Sequence, residues 1–198
     1  EKYRKINASE PEIIFLKNHG VFVAADTPEK IRQLYSQIMT KLRAEYKQKS
    51  IDTELKIAPL IEQNKLETAK KSICCAMQNP NLCISISGSF DYPQGPISPD
   101  HIVYAKSYPY IGEPTREGIK DYIAEHGYCP QVIVFDDAVL GVSDNEKNAK
   151  LALELAKDGA LVKKLAKAFG GIEYLSDRAR GFIENWEVEQ YRKKQIET

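Results

Sequence analysis

Three histidines, His19, His101 and His126, are the side chains best suited to metal ligation or to proton transfer near neutral pH. His19 falls in Lys17-Asn18-His19-Gly20, inside the stretch EIIFLKNHGVFVA of residues 12–24, between two β-rich apolar runs. A neutral imidazole on a turn can offer one ring nitrogen to a divalent ion while a neighbour fixes the other. The plain alternative is a turn histidine hydrogen-bonded to backbone. His101 ends a Ser-Pro-Asp-His loop and is followed by Lys106, a cation suited to a phosphate or carboxylate. Asp100 and His101 could equally cap and hydrogen-bond their own loop. His126 precedes Gly127 at the close of a helical pattern, where a basic residue complements the helix C-terminus. The cysteines, Cys74, Cys75, Cys83 and Cys129, lack C-x-x-C spacing and are expected to be buried, reduced thiols.

The elements around these residues follow from periodicity and turn chemistry. Strand, tight turn and strand occupy residues 12–24, and the following DTPEK supplies Asp26 or Thr27 as N-cap with Pro28 at the first helical position. Ile31, Leu34, Tyr35, Ile38, Met39 and Leu42 then recur at helical spacing, which predicts an amphipathic helix to about Gln48. Residues 50–79 read as charged helix broken at Pro59. LCISISGSF alternates like a strand, DYPQGPISPD is a turn-rich loop, and HIVYAKSYPYI reads as a strand ended by Pro109. That strand would carry Tyr104, Tyr108 and Tyr110 on one packing face. Thr115 to Gly127 brackets a short helix.

Equal counts of Lys+Arg and Asp+Glu, 28 each, leave no basic surplus for nucleic acid or an anionic membrane. No apolar run reaches the ~20 residues that span a bilayer, and the opening EKYRKINASEPE is unlike a secretory signal, so the expected compartment is the cytoplasm.

PQVIVFDDAVLGVSDNEKNAK, from Pro130, can be laid on PEIIFLKNHGVFVAADTPEKI, from Pro11, without a gap over the strands. Lys17-Asn18-His19-Gly20 then meets Asp136-Asp137-Ala138-Val139, and Asp26 meets Asn145 ahead of a second helix whose apolar face is expected at Leu151, Leu155, Val162, Leu165 and Phe169. A duplicated strand-turn-strand-helix unit accounts for this match. The two copies differ at the histidine, so the turn does not need one for its geometry.

IIFLKNHGVFVAADTPEK resembles a motif of the class II aldolase/adducin family. There an apolar strand runs into Asn-His-Gly, and a Thr-Pro cap opens a helix after the second strand. ISPDHIVYAKSYPYI, GGIEYL and ENWEVEQYRKK are similar to segments of that family's long sugar-phosphate branch, which includes bifunctional rhamnulose-1-phosphate aldolase/dehydrogenases. The resemblance implies that His19 is one of three imidazole ligands on a divalent ion, usually zinc, which stabilises the enediolate of a retro-aldol cleavage. The family's His-x-His and the acid/base glutamate of a glycine-rich loop have no counterpart before His19.

The expectation is therefore the C-terminal portion of a metal-dependent sugar-phosphate aldolase, inactive by itself, with His19 as metal ligand and His101 and Lys106 as substrate contacts. The alternatives are an adducin-like, non-catalytic assembly module, or a dehydratase or epimerase of the same fold. The expected fold is α/β, a mainly antiparallel sheet flanked by helices in three layers. Residues 1–50 would end the metal-bearing unit, 51–78 would be a helical connector, and 79–198 a second, degenerate unit. Strand edges left open in the first unit favour association, and the family implies a homo-oligomer.

Overall fold

The computed structural model describes residues 2–7, 9–60, 63–135 and 137–186. After a short helix α1 (Lys2–Asn7), strands β1 (Ile13–Leu16) and β2 (Gly20–Val23) pair antiparallel, Ile13 opposite Val23 and Leu16 opposite Gly20. Helix α2 (Pro28–Gln48) starts where expected. Thr27 is the cap, its side chain accepting from the Lys30 amide, and Pro28 occupies a first-turn position whose missing N–H costs nothing. Leu34 and Ile38 are its buried residues, whereas Tyr35 and Met39 are exposed.

The same plan recurs downstream. β5 (Val132–Phe135) and β6 (Ala138–Ser143) form an antiparallel hairpin, and α6 (Glu146–Ala166) begins at Asn145, whose side chain accepts from the Asn148 amide. Both hairpin helices are 21 residues long. The gapless match of the two copies needs one correction. Leu16 pairs with Gly20 across a three-residue turn, whereas Phe135 pairs with Ala138 across two residues. Gly20 therefore answers to Ala138, and the cap that answers to Asn145 is Thr27 rather than Asp26. The turn that carries His19 is thus one residue longer than its counterpart. Asp136, part of the second turn, lies outside the described residues.

The second hairpin is the centre of a four-stranded sheet ordered β3-β6-β5-β4, with β3 (Cys83–Gly88) antiparallel to β6 and β4 (Tyr110–Ile111) parallel to β5. Successive strand residues face opposite ways. Ile133, Phe135, Leu140 and Val142 meet Leu66 and Ile73 of helix α3 (Gln63–Ala76) and Ile119 of helix α5 (Arg116–His126) on one side. Val132 and Val139 meet Leu153, Ala156 and Ala160 of α6, with Ala105 of helix α4 (Pro99–Ala105), on the other. The chain is thus α/β, with a mixed four-stranded sheet and a two-stranded antiparallel one.

Several expectations are corrected. HIVYA is not strand but the body of α4. Ser98 and Pro99 open a helix there, and burial of His101, Ile102, Val103 and Ala105 overrides the β propensity of Ile-Val-Tyr. The strand lies beyond Pro109, at Tyr110–Ile111, so Tyr104, Tyr108 and Tyr110 share no strand face. Residues 51–60 form no helix. The Ala58 amide donates to the Ser89 carbonyl instead, carrying this segment across the end of β3. On α6 the buried residues are Ala149, Ala152, Leu153, Ala156, Gly159 and Ala160, while Phe169 beyond it is exposed. The cause is close approach: a Cβ on Gly141 of β6 would lie 2.2 Å from the Ala149 carbonyl oxygen, a separation that leaves room only for small residues. The four cysteines are free, but Cys75 and Cys129 are exposed and Cys74 and Cys83 half-buried. No helix among the described residues is long and apolar enough to cross a membrane.

Candidate functional site

The turn between β1 and β2 is held from below by its neighbour on each side. Leu16 accepts from the His19 amide at 3.1 Å, closing the turn, and Asn18 adopts a left-handed backbone at φ 56° that asparagine tolerates. The Asn18 side-chain amide donates to the carbonyls of Ile97, at 3.1 Å, and Glu173, at 2.6 Å. Lys17 pairs with the Glu173 carboxylate, and that contact holds the carboxyl below its usual range. Residues distant in sequence thereby fix the turn against the second unit. His19 itself stays exposed, its ring stacked at 6.4 Å from Phe22.

Beside the turn lies a cavity of about 670 Å³, within the range that takes small metabolites. Lys17, Asn18 and His19 form one wall, Pro99 and Asp100 a second, and Arg178, Phe182 and Trp186 much of the remainder. The last three belong to, or directly follow, helix α7 (Asp177–Glu184), which starts at Ser176, whose hydroxyl accepts from the Ala179 amide. Two cations, a helix N-terminus, an imidazole and one carboxylate therefore border a space with an aromatic side. The rest of the lining is apolar, from Pro99, Leu175, Ala179, Phe182, Ile183 and Trp186, and of the two cations Lys17 is already paired with Glu173.

The three sequence-derived site residues do not share this cavity. His19 lines it. His101 is one residue beyond the wall and turned inward, 8% exposed, with Nδ1 2.8 Å from the Ser98 hydroxyl. Its Nε2 lies 3.4 Å from the Asp158 carboxylate without hydrogen-bond geometry. The imidazole holds the Asp158 carboxyl below its ordinary value, against a smaller opposing effect of burial. His101 thus joins α4 to α6, in keeping with the loop-capping alternative. Lys106 is elsewhere: it caps α4 at φ 69°, lies 5.1 Å from the centre of the Tyr128 ring, and lines a separate cavity of about 260 Å³ with Cys129 and Asp144. His126 ends α5 against the left-handed cap Gly127 and stacks on Tyr108 at 4.9 Å.

Lys17, Asn18, Asp100, Arg178 and Trp186 were not read as site residues in the sequence, where Asp100 was named only as a loop cap. For Asn18 and Lys17 the signal was the turn quartet itself; for Arg178 no local pattern marks it. One imidazole supplies a single ligand where a catalytic zinc takes three from protein. Among the described residues no three His, Cys, Asp or Glu side chains come together as a metal site, so the residues present do not by themselves hold the ion. Comparison of the chain with protein families, with curated proteins and with solved structures finds no match.

Proposed function

We propose that this chain is the C-terminal portion of a class II aldolase-like protein acting on a phosphorylated sugar, with His19 contributing one ligand to a divalent ion, zinc by preference. The observation that carries the reading is the exposed imidazole on a turn pinned by Asn18 and Lys17, at the rim of a cavity that also presents Arg178. The second hairpin turns in two residues without a histidine, so His19 belongs to the longer turn that sets the first hairpin apart. A bound ion would supply Lewis-acid stabilisation of an enediolate. What this chain contributes is placement: Asn18 and the Lys17–Glu173 pair hold the turn that carries His19, and Arg178 attracts and orients the anionic end of the substrate.

The remaining ligands and the acid/base group would come from polypeptide outside this chain, so the chain alone is expected to be inactive. A homo-oligomer, without nucleic acid or membrane partners, accords with this reading. The same machinery would serve a dehydratase or epimerase. A non-catalytic assembly module is the second reading, and the exposed apolar residues Phe15 and Phe22 favour it.

Metal content after dialysis decides between the two. The full-length protein should retain one zinc per chain and cleave a ketose 1-phosphate, and its His19→Ala variant should lose both. Zinc retained undiminished by the variant would remove His19 from the site, and a full-length protein that binds no metal would leave the assembly reading.

A further inference from the structure

The two hairpins are built alike and covered differently. Ile133 and Leu140 are 0% exposed beneath α3 and α5, while their counterparts Ile14 and Phe22 are 44% and 55% exposed. Phe135 is buried in the same cluster, and its counterpart Leu16 is exposed. The opposite face of the first hairpin is only partly covered: α2 touches β2, but Phe15 on that face is 67% exposed. Both outer edges also differ. β6 pairs with β3 and β5 with β4, whereas β1 and β2 pair only with each other among the described residues. Ile14 and Phe22 stand directly opposite across the strands, so they form one continuous apolar patch reaching to His19.

We propose that this patch is the seat of a strand-and-helix segment of the same polypeptide preceding residue 1. One strand would lie antiparallel along β2, another parallel along β1, and an apolar helical layer over Ile14, Leu16 and Phe22. The second unit states the occupant. There α3, β3, β4 and α5 all precede the hairpin they cover, within residues 63–126. Copied onto the first unit, the same order puts the cover ahead of β1. Among the described residues the only element ahead of β1 is α1, which does not provide it: Ile6 of α1 is itself exposed. An uncovered patch with two open edges is a template for strand addition, and an upstream segment would pair both as β3 and β4 pair the second hairpin. The proposal rests on the reading of this chain as a C-terminal portion, but not on its chemistry.

Hydrogen exchange tests it on the full-length protein and on the 198-residue chain. In the full-length protein, peptides spanning Gly20–Val23 should exchange as slowly as those spanning Ala138–Ser143, and at least about tenfold faster in the 198-residue chain. In parallel, Phe22→Glu should lower the melting temperature of the full-length protein and leave that of the 198-residue chain unchanged. Equal, rapid exchange of Gly20–Val23 in both proteins would overturn the proposal. So would slow exchange in the 198-residue chain at the mass of a dimer, which would assign the face to a second copy. Slow exchange in a full-length protein that binds no zinc would keep the cover and discard the aldolase reading alone.

Discussion

Asn18 is the residue on which the candidate site turns. Its side-chain amide satisfies two backbone carbonyls, those of Ile97 and Glu173, and its left-handed backbone lets the turn close. Alanine would remove both hydrogen bonds and strain the backbone, so Asn18→Ala should cost about 1–2 kcal/mol in a urea titration. An unchanged midpoint would show that the turn needs no anchor. Asp158 carries a pH dependence of definite sign. Its folded carboxyl titrates below the ordinary value because the His101 imidazole is beside it. The stabilisation is therefore complete above the unfolded carboxyl's pKa and is lost as pH falls through the lower, folded one. Asp158→Asn should be less stable than the parent at about pH 6, with the gap closing towards about pH 3. A gap that widens on acidification would contradict the pairing. What could be read in the sequence at this scale was the candidacy of His19. That His101 turns inward was not legible, because its burial is set by α6, which follows it by more than forty residues.

At the scale of elements, caps and turns were the legible part and faces the unreliable one. Thr27, Asn145, Thr115 and Gly127 all act at helix ends, because capping is decided by the few residues that form it. The buried stripe of α6 was misread because large apolar residues were taken to mark the core, whereas the distance to β6 selects small ones. Gly141 sets that distance. A Cβ there would lie 2.2 Å from the Ala149 carbonyl oxygen and 2.7 Å from the Leu153 amide nitrogen, both backbone atoms that cannot rotate away. Gly141→Ala should therefore destabilise the chain by about 1–3 kcal/mol, measured by thermal or urea unfolding. The equivalent position of the first hairpin already carries a side chain, Val23, so Val23→Ala should cost less than Gly141→Ala. The reverse order would mean that α6 can shift away from the sheet without loss.

For the molecule as a whole, cover is unevenly distributed between two units of one plan. The second hairpin has strands on both edges and helices on both faces; the first has only a slight contact of α2 with β2 and its turn tied to Ile97 and Glu173. Local opening should follow that difference: in native-state exchange of the 198-residue chain, β1 and β2 should open at a lower free energy than β5 and β6. A single opening energy for both hairpins would show one cooperative unit. The sequence by itself determined the duplicated hairpin-helix plan, the helix ends and the turn that carries His19, since each depends on neighbours along the chain. The tertiary structure alone decided the helical state of residues 99–105, the small-residue face of α6 and the cavity that joins Lys17, His19, Asp100 and Arg178. Those depend on burial and close approach between segments far apart in sequence, which no local pattern encodes.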